Sequence, residues 1–406
     1  MPIRKIPVSD LLPGMYVVDV HKRWIDHLFW RSRFLVRDDV HIDKIRKNGI
    51  TEVSIDTDQG IDVPFSPIHR INAVADRLAA KSEPPPPLPP PRKVSLGEER
   101  RRATRLLNEA SGTVNQLVHA AQAGNLVDAG QLEPVVSKMI ESVMRNPDAL
   151  VPLARLKQMD AYATEHAVAT SALIIALGQQ QGRSESELEK MALGTLVKDI
   201  GQAAIDARLI HKPGSLSRAE YSVVQSHVEE GLAVLEATSR LPELSIAVVL
   251  EHHERFDGSG YPYRMAGEHI SEAGRMAAIV DAYDAMTSDR PYRPALSPAF
   301  ALKQLFQDSG RHFDPALVAS FVRTLGVYPV GTLVLLESGH LAVVDQVNAA
   351  NSLTPIVRVI FHAGRQQYVT PVQVDLSRKV GNHYGQIVRA EKYERWGISP
   401  QRWQPG

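Results

Sequence analysis

Glu251–Pro262 reads EHHERFDGSGYP, and Gly274–Arg293 reads GRMAAIVDAYDAMTSDRPYR. The second run begins inside Ser271–Met286, whose apolar residues recur at helical spacing, so it predicts an amphipathic helix followed by a turn-rich segment. Working outward, the same spacing recurs over His166–Leu177, Ser186–Val197, Ala219–Leu235 and Pro298–Gln307. Residues 95–145 are rich in Ala, Leu, Glu and Arg, which are strong helix formers. The expected fold is therefore mainly α, a helical bundle, with small β-containing modules at each end.

The end modules are read from a change of pattern. Met15–Val20 is a strand candidate after the turn Leu12-Pro13-Gly14. Asp38–Asn48 has helical spacing with Gly49 placed to stop it, and Thr51–Asp56 alternates like a strand. Trp24, Phe29, Trp30 and Phe34 crowd together, which reads as a packed aromatic core or a domain interface. At the other end Thr332–Leu336, Leu341–Val347, Ile356–Phe361 and Tyr368–Val374 are β-branched runs between polar turns. Glu83–Arg92, EPPPPLPPPR, is a stiff proline spacer without backbone donors. The expected organisation is an N-terminal module over 1–82, a linker over 83–92, a helical domain over 93–325 and a β-rich extension over 326–406.

Composition narrows the partners. The 406 residues carry 46 Lys plus Arg and 46 Asp plus Glu, so no net charge favours a nucleic-acid backbone or an anionic membrane. There is no cysteine, which removes disulfides and thiolate metal sites. No apolar run approaches the ~18 residues of a membrane span, and MPIRKIPVSDLLPG has no apolar segment like that of a signal peptide. The expected location is the cytoplasm.

The chemistry concentrates between residues 160 and 293. In chain order come His166, Lys198-Asp199, His227, His252-His253, Gly260-Tyr261-Pro262, Asp281 and Arg290-Pro291-Tyr292-Arg293. Single histidines are usually satisfied core or surface residues, and His211, His269, His312 and His340 are read that way. Histidine and aspartate on several helices of one bundle are different, because imidazole and carboxylate are the ligands of first-row divalent metals. Two such metals sharing a carboxylate can activate water and clamp a phosphodiester.

The two quoted runs resemble, almost letter for letter, the signature of HD-GYP domains over about residues 150–325. The N-terminal stretch is similar to the uncharacterised domain that often precedes them. The resemblance implies hydrolysis of the bacterial second messenger cyclic di-GMP to pGpG or GMP. It implies one or two divalent ions (iron, manganese, nickel or zinc) held by His166, Asp199, His227, His252, His253 and Asp281, with Asp199 bridging. Gly260, Tyr261 and Pro262 would line the nucleotide, and Arg290 and Arg293 would bind phosphate or a guanine edge, work that suits the planar guanidinium. It also implies diguanylate cyclases with GGDEF domains as partners.

Two letters depart from the family pattern. Where the family has His-Asp followed by Gly-Lys, this chain has Lys198-Asp199-Ile200-Gly201-Gln202. An ammonium has no lone pair for a metal, though it can take the place of the missing cation and partly neutralise Asp199 and Asp281, and Gln202 brings no charge to a phosphate. The HD-type site keeps only His166, Asp199 and Asp281, whereas Asp199, His227, His252 and His253 form a complete second site. The sequence thus carries two readings, a phosphodiesterase altered at Lys198 and Gln202, or a module that binds nucleotide or partner proteins without turnover. A nucleic-acid phosphohydrolase fits the GYP signature less well.

Overall fold

The computed structural model describes residues 3–8, 11, 13–19, 33–37, 39–47, 50–56 and 59, and then 95–403 apart from 155–161, 211, 213, 238–240, 290–293, 349 and 379–382. The chain divides into two compact units, Met1–Asp76 and Arg77–Gly406. The proline run, Trp24, Phe29 and Trp30 lie outside the described residues.

In the first unit the strands β1 (Ile3–Pro7), β2 (Tyr16–Asp19), β3 (Phe34–Leu35) and β4 (Glu52–Asp56) form an antiparallel sheet in the order β1-β4-β2-β3. The helix α1 (Asp39–Lys47) supplies Ile42 and Ile45 to a core with Ile6, Met15, Val17, Val53 and Ile55, and Phe34 packs against it. The strand over Ile3–Pro7 was not expected, because Pro7 and the charged Arg4 and Lys5 break the alternation that marks strands.

The second unit is built on helices. Leu96–Gln122 (α2), Glu133–Arg145 (α3) and Pro147–Ala154 (α4) lead into α5 (Tyr162–Gln180) and α6 (Glu185–Val197). Ser184 and Glu187 close a capping box at the start of α6, which satisfies donors that the first turn leaves open. After a 3₁₀ turn over Ile200–Ala204 come α7 (Ala207–Ile210), α8 (Arg218–Gln225), α9 (His227–Glu236) and α10 (Glu243–Glu251). The single helix expected over Ala219–Leu235 is two, parted at Ser226, whose hydroxyl bonds back to the Val223 carbonyl. Then follow α11 (Glu272–Thr287), α12 (Pro298–Gln307) and α13 (Pro315–Leu325). Among the described residues no helix is long and apolar enough to cross a membrane.

The tail folds as β5 (Leu333–Leu336), β6 (His340–Gln346), β7 (Ile356–His362), β8 (Gln367–Asp375) and β9 (Ile387–Glu391), an antiparallel sheet in the order β8-β7-β6-β5-β9. Four strands were expected. The fifth, IVRAE, is short and carries an Arg and a Glu, so its pattern is weak. Its two faces bury separate clusters, Leu333, Leu341 and Ile360 on one side and Val334, Val344 and Val357 on the other. The sheet is joined to the helices by buried Arg100 of α2, whose Nη2 donates to the Asp345 carbonyl at 3.1 Å. The core of the bundle is carried by α5, α6 and α11 (Leu173, Ile174, Leu196, Met276, Ile279), and these three helices position the site.

Candidate metal centre

Five short stretches meet at Asp199. His166 comes from α5, and Lys198 and Asp199 from the end of α6. His227 opens α9, His252 and His253 follow α10, and Asp281 projects from α11. The approach of the Asp199 turn to α9 depends on Gly201. A Cβ there would lie 2.0 Å from the His227 carbonyl oxygen and 2.4 Å from the Gly231 nitrogen, so no other residue fits.

Two cradles share Asp199. The first is formed by Asp199, His227, His252 and His253, with ligand atoms all within 4.8 Å of one another. His227 Nδ1 donates to the Val224 carbonyl at 2.6 Å, and His252 Nδ1 to the Val249 carbonyl at 2.8 Å. Each bond fixes the tautomer and leaves Nε2 with a bare lone pair. Both Nε2 atoms are buried without a hydrogen-bond partner, and they face Asp199 Oδ1 at 3.6 and 3.8 Å. Lone pairs aimed at a carboxylate in a buried site repel it unless a cation lies between them. Burial, together with neighbouring His253 and Lys198, holds the His252 pKa well below the usual histidine range. Burial brings His253 down to about 4. Both rings are neutral at pH 7, the form that ligates metal.

The second cradle is His166, Asp199 and Asp281. Here the fully buried Lys198 has put its ammonium in the middle. Nζ donates to Asp199 Oδ2, to Asp281 Oδ1 at 2.6 Å, and to His166 Nε2 at 3.1 Å. Three N–H donors meet three acceptors, which is all an ammonium can give. Burial alone would lower the Lys198 pKa, but Asp199 and Asp281 outweigh it and hold the group above the ordinary lysine value. Burial likewise pushes Asp281 up, and Lys198 with His166 reverses this and keeps it well below the usual carboxylate range.

The remaining expected residues fall as follows. The Tyr261 ring stacks on His253, with centroids 4.6 Å apart and planes 25° from parallel, and stands edge-on to His227 at 6.4 Å. Gln202 Nε2 donates to Asp199 Oδ1 at 2.8 Å, so its amide is spent on the shared carboxylate. Arg290 and Arg293 lie outside the described residues. Two residues were not singled out from the sequence. Asp284 accepts from His166 Nδ1 at 2.5 Å and orients that ring. Its spacing, one helical turn after Asp281 in VDAYDA, was the available signal. Tyr221 of α8 meets Tyr261 edge-on at 6.0 Å, and nothing in its exposed-looking sequence context marked it.

Comparison with known proteins gives this geometry a lineage. A profile described as "HD domain" matches residues 135–317, and one described as "Domain of unknown function (DUF3391)" matches residues 3–132. A cyclic di-GMP phosphodiesterase of Pseudomonas aeruginosa is 37% identical over 98% of this chain and 94% of its own length. The chain belongs to the HD-GYP family. Two further relatives of this HD-GYP protein match about a third of its length. The cyclic di-GMP phosphodiesterase response regulator RpfG of Xanthomonas campestris is 36% identical over 36% of this chain and 39% of that one. The 3'3'-cGAMP-specific phosphodiesterase 2 of Vibrio cholerae is 36% identical over 35% of this chain and 27% of that one.

HD-GYP proteins are metal-dependent phosphohydrolases, and the two cradles differ in fitness for metal. The bare imidazole nitrogens around Asp199 Oδ1 fit a divalent ion. The His166, Asp199 and Asp281 cradle does not, because its centre holds an ammonium.

Proposed function

We propose that this HD-GYP protein hydrolyses cyclic di-GMP to pGpG or GMP, using one divalent metal held by Asp199, His227, His252 and His253, with the Lys198 ammonium as a permanent cation in the neighbouring cradle. The observation that carries the reading is the pair of buried imidazole lone pairs converging on Asp199 Oδ1. The activity named for the near full-length Pseudomonas aeruginosa relative supports the substrate. Iron, manganese, nickel and zinc all accept this donor set.

A metal in the histidine cradle supplies Lewis acidity and an acidified water. The chain's own residues do the rest. Asp199 divides its oxygens between the histidine cradle and Lys198, and Lys198 balances the charge of Asp281 as well. Tyr261, with Gly260 and Pro262, lines the nucleotide side, and Arg290 and Arg293 grip phosphate or a guanine edge by bidentate bonds. Gln202, neutral and turned to Asp199, brings no charge to the scissile phosphate where a cation would stabilise it. The helical domain over 93–325 does this work in the cytoplasm, and the modules over 1–82 and 326–406 regulate it, with GGDEF-domain proteins as partners at the GYP loop.

A second reading, binding without turnover, has its own observation in the ammonium-filled cradle. Elemental analysis of purified protein, run beside chromatography of cyclic di-GMP products, separates the two. The phosphodiesterase reading expects about one metal per chain and turnover that disappears in His252→Ala and His253→Ala. Two fully occupied metals per chain would contradict the one-metal site, and bound nucleotide that is never cleaved would establish the regulator.

A further inference from the structure

The segment after the histidine pair is built around an internal anion. Glu254 follows His253 directly and is buried. Its Oε1 accepts from the Tyr263 amide at 2.7 Å and its Oε2 from the Met265 amide at 3.1 Å, with the Arg264 amide turned to the same carboxylate. Three successive N–H groups thus enclose one carboxylate, the arrangement known as a nest, which elsewhere binds phosphate or other anions. Its middle residue is held away from its preferred backbone. Arg264 has φ +54°, in the left-handed region that side-chain-bearing residues seldom enter and that persists where surrounding contacts enforce it.

The nest closes a loop that begins at the metal ligands. Gly260 lies so tightly over them that a Cβ would meet the Arg255 nitrogen at 2.4 Å and the His253 carbonyl oxygen at 2.6 Å. The Tyr261 amide donates to that same carbonyl at 3.2 Å, and its ring stacks on the His253 ring. The loop carrying Tyr261 is therefore tied at its start to His253 and at its end to Glu254, which is the next residue.

We propose that Glu254 is a positioning residue, an internal counter-anion that holds the Gly258–Met265 loop in a nest and thereby sets Tyr261 over the metal centre. The substrate side of this statement rests on the phosphodiesterase reading above, whereas the clamp itself does not.

The test uses the full chain loaded with Mn²⁺ in four forms: parent, Glu254→Gln, Glu254→Ala, and Glu254→Ala combined with Arg264→Gly. Glu254→Gln fills the same volume and keeps one acceptor, so it reports even if Glu254→Ala folds poorly. Amide hydrogen exchange over residues 260–267 should speed up roughly tenfold in Glu254→Gln and more in Glu254→Ala, while α11 stays protected. Metal content should hold. KM for cyclic di-GMP should rise roughly ten- to a hundredfold with a smaller change in kcat, because a misplaced contact to ligand is lost while the cradle survives. Arg264→Gly should restore part of both effects, since glycine takes the positive φ without strain. Loop amides that stay protected in both Glu254 variants would overturn the clamp. A loosened loop with unchanged KM, or a KM defect that Arg264→Gly leaves untouched, would overturn the setting of Tyr261 over the metal centre by that clamp. If the parent does not turn over cyclic di-GMP, the exchange result still decides the clamp and only the substrate reading falls.

Discussion

Replacing Lys198 with methionine keeps the length of the side chain and removes its charge. In the parent, Nζ lies 2.6 Å from Asp281 Oδ1 and bonds Asp199 as well. One such pair is worth roughly 6 kcal/mol of attraction at an effective dielectric constant of about 20, and desolvation of the ions offsets much of it. Removing one member of a buried ion pair costs about 3–5 kcal/mol, because the carboxylates are left buried and facing each other. With a urea m-value of about 3 kcal/mol/M, the unfolding midpoint of chelator-treated Lys198→Met should fall by roughly 1 to 1.7 M. The sign of the pH dependence is also fixed. The lysine pKa is raised in the fold, so its contribution is complete below the ordinary lysine value and fades as pH climbs above it. The Asp281 pKa is depressed, so its contribution is complete above the ordinary carboxylate value and is lost as pH falls through and below it. The penalty in Lys198→Met should therefore be fullest at about pH 8 to 9 and shrink at lower pH, where His166, whose pKa Asp281 and Asp284 raise against burial and the Lys198 charge, can take a proton beside Asp281. Urea melts of metal-free parent and variant at several pH values make the measurement. Coincident midpoints would refute the idea that the carboxylates hold the ammonium, and a penalty that vanishes at pH 7 would refute the assigned charge states.

Restoring both family letters, Lys198→His with Gln202→Lys, should raise cyclic di-GMP turnover by more than the product of the single changes and add a second metal, readable by kinetics and elemental analysis. Arg290→Ala or Arg293→Ala should each weaken cyclic di-GMP binding about ten- to a hundredfold in calorimetry, the loss of one charge-assisted bond. Gly201→Ala should unseat His227 and release the metal along with about 1–3 kcal/mol or more of stability, checked by metal content and thermal melting. Partly buried Asp148 has its pKa raised by burial to about 6 against the Val347 amide and Arg100, so the fold loses stability as pH rises from about 4 to 6. Asp148→Asn should abolish that decline, making the variant about 2 kcal/mol more stable than the parent at pH 7 and equal to it near pH 4.

The residues that gather at Asp199 could be named from the sequence because each is a chemically marked letter on an element whose spacing is also readable. Asp281 lies on one helix and His252-His253 end another, whereas Asp284, a turn beyond Asp281, was passed over. Lys198 was legible as a defect, a cation in a ligand's position. Its place between Asp199 and Asp281 was legible too, from charge alone, whereas its third bond, to His166, depends on how α5 and α6 converge. Glu254 was hidden for a similar reason. An acidic residue beside a turn reads as surface, and only the folded backbone shows three amides bent around it. The break of α8 from α9 at Ser226 escaped the apolar period because the period continues across it, with His227 and Val228 buried on the far side.

The ammonium in the HD half is encoded in the gene, and so it cannot be scavenged, oxidised or exchanged. A cell starved of transition metals would still make this protein with that half of its centre filled and charge-balanced, since Lys198 is present from translation. Only the histidine half is left to follow supply. On the one-metal reading proposed above, the protein has one adjustable inorganic input where two ions would give it two, and its occupancy should track the free concentration of a single metal along a simple non-cooperative curve.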